Sequence, residues 1–174
     1  MLLHHISFAA CFILIVYALY LLYRLTVIDL KHYILPNKYV FPFGLCGLIF
    51  HTIAFQNFYF LPDCLLAAFF GGLLLYVVRY FANHYYKKDT LGLGDVKLIA
   101  ASGFWLGTEY IFLAISLGAF AGVLHGLAIA FAKKKKGESI SLSQLSLPAG
   151  PGFIIGILIA AAIRFYTMAE MLYL

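Results

Sequence analysis

Two aspartates stand where chemistry is possible. Asp29 lies in TVIDLKHYILPNKY and Asp95 in LGLGDVKLIA, each where a polar connection meets a long apolar run. Ionised groups at a membrane boundary are costly and need a reason. Two carboxyls brought close share one proton, because like charges at short range cannot both ionise. The ionised member can take a proton from water while the neutral one polarises a carbonyl, and the pair titrates as a unit. That is the chemistry of peptide hydrolysis by activated water, and it uses neither a metal, a cofactor nor a covalent intermediate.

The residues around the pair suit this role. Gly92 and Gly94 remove side chains next to Asp95, so the backbone can bend or a substrate chain can come near. Pro36 and Asn37 predict a turn after Asp29. Lys97, two residues beyond Asp95, points to another helix face; it reaches either lipid head groups or the site. Plainer roles exist for each aspartate taken alone. Asp29 would be a solvated charge at a helix end, and Asp95 the N-cap of the helix that follows. Asp89 and Thr90 read as a solvated loop. His125, deep in an apolar run, is expected to be neutral, hydrogen-bonded and packed. His4, His5, His32, His51 and His84 are expected near span ends.

The elements that must position these residues are membrane helices. Of 174 residues, 64% are hydrophobic and 11% charged, and mean hydropathy is +0.98. A soluble domain cannot hide that much apolar surface. The expectation is an all-α, polytopic membrane protein, one domain over residues 1–174, with a bundle of about six helices. The spans fall near residues 6–28, 39–55, 61–81, 96–108, 110–132 and 153–168. The fourth is short: 13 residues of helix reach about 20 Å against a core of roughly 30 Å. It is read as a crossing helix, with a re-entrant hairpin as the competitor.

Basic residues set the orientation. Arg24, Lys31 and Lys38 flank one connection, Arg79, Lys87 and Lys88 a second, and Lys133 to Lys136 a third. The opposite connections hold Asp63 and Glu109, and only Arg164 lies toward that side. The basic side is therefore cytoplasmic, and Asp29 and Asp95 fall on it at similar depth. This distribution turns the net charge of +5 toward lipid head groups, not nucleic acid. Gly118, Gly122 and Gly126 place bare positions on one helix face for close packing, and Gly71 and Gly72 serve similarly. Cys11, Cys46 and Cys64 form no C-x-x-C pair and indicate neither zinc nor a disulfide framework.

Three segments then resemble a known family. GLGDVKLIAASGFWLG, Gly92 to Gly107, is similar to the G-x-G-D-x-K-L motif of the type IV prepilin peptidases, which are membrane aspartic proteases. DLKHYILPN, Asp29 to Asn37, resembles their other aspartate motif. LPAGPGFIIG, Leu147 to Gly156, resembles their P-F-G-P stretch, with Pro148, Gly150 and Pro151 in place and Ala149 where Phe is usual. The resemblance implies that Asp29 and Asp95 are catalytic. It implies removal of the leader of type IV prepilins or pseudopilins at the cytoplasmic face of the inner membrane, after a glycine. Longer members resemble a two-function enzyme with paired C-x-x-C motifs. Without these, the expectation is a short, peptidase-only form, with no methyltransferase activity, S-adenosylmethionine or zinc. The competing classes are a presenilin-type intramembrane protease, and a non-catalytic transporter or assembly factor whose aspartates bind ions or lysines.

Overall fold

This computed structural model describes residues 2–55, 60–87, 89, 91–135 and 149–173. Among the described residues every regular element is a helix. They are α1 (Leu2–His32), α2 (Asn37–Phe55), α3 (Phe60–Tyr86), α4 (Leu93–Lys135) and α5 (Gly150–Tyr173). Four contain stretches long and apolar enough to cross a membrane: Ser7–His32, Leu61–Tyr86, Leu93–Ile129 and Gly150–Met168.

The count is five helices where about six were expected. What reads as a fourth and a fifth span is one element, interrupted by a single non-helical residue, Gly107, at φ 65° and ψ 177°. That backbone state is open to glycine and strained for other residues. The interruption is a fold-back. A Cβ added to Gly71 on α3 would lie 2.7 Å from Ile111 and 3.3 Å from Ile99. Twelve residues of straight helix would hold those isoleucines about 18 Å apart. Both can flank Gly71 only if the arm before Gly107 and the arm after it lie side by side.

α4 is the hub, packed against α2, α3 and α5, while α1 rests on α2 and α5. Small residues allow these approaches. Gly103 meets the backbone of Ala67 and Ala68, and a Cβ on Gly72 would stand 3.0 Å from Ala100. On the second arm, Gly118 and Gly122 face Gly152 of α5, as the four-residue spacing predicts. With no hydrophobic drive between helices in lipid, such backbone proximity and interhelical hydrogen bonds hold the bundle. Trp105 supplies one of the latter: its indole N–H donates to the Phe43 carbonyl at 2.8 Å, locking α4 to α2.

One histidine expectation fails. His125 is exposed on the outer surface of the second arm instead of packed within the bundle. His51 lies near the end of α2 and is buried there, with Nε2 3.3 Å from the Trp105 carbonyl. Lys133 to Lys136 and Pro148 lie outside the residues whose side chains are described.

Candidate active site

Asp29 closes the last turns of α1. The helix runs to His32, and Tyr33 follows at φ 56°, its N–H donating to the Asp29 carbonyl at 2.9 Å. The chain then turns through Leu35 and Pro36 into α2. Pro36 sits immediately before that helix, where a missing N–H costs nothing, and its carbonyl accepts the Tyr39 N–H at 3.0 Å. The turn predicted at Pro36 and Asn37 is there, with Asn37 the first residue of α2.

Asp95 lies in the first turn of α4, three residues after Gly92. From that position its carboxylate reaches back to the Gly92 N–H, as an acidic side chain does in a capping box. Asp95 is therefore not the N-cap, a position that Gly92 holds before Leu93; it caps from inside the first turn, and by one oxygen only. The other, Oδ1, is buried without a hydrogen-bond partner.

The fold brings the two carboxyls together. Asp29 is 5% exposed and Asp95 6%, and Asp95 lies within electrostatic reach of Asp29. Their surroundings interlock. Asp29 Oδ2 accepts the Gly150 backbone N–H at 3.1 Å. Gly150 opens α5, so this donor is one of the unsatisfied N–H groups of a helix start, where a negative charge is favoured. Leu35 packs between: a Cβ on Gly94 would lie 2.8 Å from Leu35 Cβ, and one on Gly150 would lie 3.4 Å from Leu35 Cδ1. A Cβ on Gly150 would also stand 2.6 Å from Asp29 Oδ2, and one on Gly92 3.1 Å from Asp95 Oδ2. Glycine at 92, 94 and 150 is what lets three chain segments close around two carboxyls.

Lys97 does not pair with Asp95. Its Nζ donates to Asn37 Oδ1 at 3.1 Å, tying the start of α4 to the start of α2. Pro151 follows Gly150 in the first turn of α5 and is half-buried. Asp89, expected to be merely solvated, accepts Arg79 Nη2 at 3.0 Å and Asn83 Nδ2 at 2.9 Å. These bonds tether the connection that leads to Asp95. An open depression of about 410 Å³ lies beside it, lined by residues that include Tyr76, Arg79 and Leu93. Among the described residues, no three His, Cys, Asp or Glu side chains gather closely enough to hold a metal ion.

A second polar cluster escaped the sequence reading. At the fold-back of α4, Asp63 Oδ1 accepts the Thr108 N–H at 3.1 Å and also the Thr108 hydroxyl. Arg164, 5% exposed, lies within electrostatic reach of Asp63 and Cys64. The available signal was an arginine inside an apolar span, which needs a partner wherever it occurs.

A buried carboxyl pair at one end of an apolar helical bundle marks a candidate acid–base site in a membrane protein. Comparison with known proteins narrows the class. A profile of the type IV leader peptidase family matches residues 13–127, and the chain belongs to that family. It is similar to the Prepilin leader peptidase/N-methyltransferase of Aeromonas hydrophila, at 31% identity over 110 residues, 63% of this chain and 37% of that protein. The protein of the same name from Legionella pneumophila is 31% identical over 159 residues, 90% of this chain and 52% of that protein. The Leader peptidase HopD of Salmonella typhimurium is 34% identical over 156 residues, 86% of this chain and 94% of that protein. The chain thus spans 37% of the length of the first of these relatives and 52% of the second. No solved structure gives a significant match. The family and the four apolar helices make this a multi-pass membrane protein.

Proposed function

We propose that this protein is an aspartic endopeptidase that removes the leader peptide of type IV prepilins or pseudopilins. The observation behind the proposal is the convergence of Asp29 and Asp95, both buried, on one end of the bundle. Membership in the leader peptidase family supplies the substrate class. Leader peptidase HopD, nearly all of which aligns with this chain, supports cleavage by a protein of this extent.

The geometry suggests a division of labour. The Gly150 N–H on Asp29 Oδ2 suits a carboxylate, the form that accepts hydrogen bonds and can take a proton from water. Asp95 Oδ1 has no partner. A proton held there has nothing in the resting protein to donate to, so it is available for the carbonyl oxygen of the scissile bond. Water lies between the two groups in the reactive complex. As the tetrahedral intermediate collapses, the leaving amine recovers a proton from the pair.

The site faces the cytoplasm across the inner membrane, as the basic residues at 31, 38, 79, 87 and 88 favour by the positive-inside rule. The two arms of α4 each act as a separate span, giving six, with the short first arm placing Asp95 below the head groups. The substrate joins a basic leader to an apolar helix. That helix lies in the bilayer beside the enzyme, and the glycine before the cut makes local unwinding inexpensive.

The test is cleavage of a prepilin by purified protein in detergent. Asp29→Asn and Asp95→Asn should each lower kcat by roughly a thousandfold or more, as loss of one member of a catalytic unit does. Cleavage retained in both variants would refute the carboxyl pair as the catalyst.

A further inference from the structure

On the lipid-facing side, α1 and α5 do not close completely. Between them is an almost wholly apolar notch of about 60 Å³ with Phe43 and Trp105 at its back. Both aromatic residues are buried, whereas Leu19 and Leu158 at the rim are exposed, so the notch opens outward. Its volume suits one aliphatic side chain.

The register of the walls connects this notch to the carboxyls. α1 ends and α5 begins at the contact between Asp29 and the Gly150 N–H. Along α1, Leu22 and Ala18 lie seven and eleven residues before Asp29. Along α5, Ile157 and Ala161 lie seven and eleven residues after Gly150. At 1.5 Å per residue, each wall places the notch about 10–16 Å below the contact. Two antiparallel helices thus present matched pairs at matched depth, and the small pair, Ala18 and Ala161, leaves the opening.

We infer that this notch is a docking site for one bulky apolar side chain of the substrate's membrane helix. The inference rests on the peptidase reading and adds where the substrate lies. Lipid tails cover every outward face of the bundle. This opening differs because it lies along the same pair of helices whose ends form the site. A chain cut at Asp29 and Asp95 that continues into the bilayer between α1 and α5 descends along it. Allowing for a short extended segment at the cut, the side chain that enters is roughly the fifth to the tenth after the scissile bond. Recognition at this depth lets the enzyme check for an apolar helix as well as the leader.

The test uses a synthetic substrate with a basic leader, a glycine and a 20-residue apolar helix, and a short peptide ending four residues after the cut. Ala18→Phe and Ala161→Phe fill the notch. Each should lower kcat/KM for the long substrate about tenfold relative to the short one, mainly through KM. Val78→Phe, on the exposed surface of α3, should leave that ratio unchanged. In parallel, a photoreactive benzoylphenylalanine eight residues after the cut, presented to Asp95→Asn protein, should form adducts with α1 and α5. Unchanged ratios, or adducts confined to α3 or the second arm of α4, would overturn the notch. Should the filled variants lose both activities, the adduct map on protein with an intact notch decides the question. Failure of unsubstituted protein to cut either substrate is a different result, which removes the peptidase reading itself.

Discussion

Gly150 ties the start of α5 to Asp29. Its N–H binds Asp29, and the missing side chain leaves room for the carboxylate. Gly150→Ala would put a methyl group 2.6 Å from Asp29 Oδ2, so the aspartate or the start of α5 must shift. Misplacement by about 1 Å costs on the order of a hundredfold in rate. The expected outcome is a kcat reduced by that factor with the helical circular-dichroism signal intact. The proton count gives a second prediction. With one proton shared between Asp29 and Asp95, low pH adds a second and abolishes the base, and high pH removes the only one and abolishes the acid. kcat/KM should therefore follow a bell-shaped curve, and its two limbs belong to the pair, not to either residue. A single sigmoid would argue for one working carboxyl. At this scale the candidate site is legible in the sequence, because membrane-boundary aspartates are few and glycines mark Asp95. What was not legible was the contribution of backbone. That Gly150 donates to Asp29 depends on a contact across 121 residues, which no local pattern encodes.

At the scale of elements, the reversal inside α4 falls where the sequence divides its fourth and fifth spans, beside Glu109. What the sequence does not show is that no connecting loop is needed, because a single glycine, Gly107, turns the chain. Breaking a helix exposes N–H groups that have no intrahelical partner. Asp63, from the start of α3, accepts one of them at Thr108 and so acts as a cap supplied by another helix. Its charge also faces the buried Arg164. By sequence, Asp63 is a loop charge and Arg164 an exception to the orientation rule. Both readings count charge without asking what it touches. Asp63→Ala should therefore destabilise the protein by about 0.5–2 kcal/mol, the usual effect of losing a helix cap. Gly107→Ala should cost about 1–3 kcal/mol from backbone strain alone, and more from collision with Asp63 and Arg164. Thermal unfolding in detergent measures both. Equal melting temperatures for Asp63→Ala and the unsubstituted protein would show that the cluster is incidental.

The whole molecule is polarised. The carboxyl pair, the Lys97–Asn37 bond and the Arg79–Asp89 bridge lie toward one end. Asp63, Thr108, His51 and Arg164 lie toward the other. The proposed orientation puts the first end in the cytoplasm. In a cysteine-free background, Lys31→Cys and Lys87→Cys should react with a membrane-impermeant maleimide only in inside-out vesicles. Glu109→Cys should react only from the opposite side. The reverse pattern would invert the protein and count against the proposed cleavage of a cytoplasmic leader. The all-helical class and the apolar character were plain from composition alone, since 64% hydrophobic residues admit no soluble alternative. The arrangement of the helices was not, because it depends on which small residues meet, such as Gly103 with Ala68 and Gly118 with Gly152.

The brevity of the first arm of α4 has a consequence for biogenesis. Leu93 to Leu106 is too short to span the hydrocarbon core unaided, at about 1.5 Å per residue. An insertion machine presented with that stretch by itself has little reason to leave it in lipid. It becomes stable there only when α3 lies alongside and the second arm has followed. The carboxyl at 95 would then reach its working depth late in synthesis, after most of the chain has already been threaded, and a nascent protein would stay inactive until that assembly is complete.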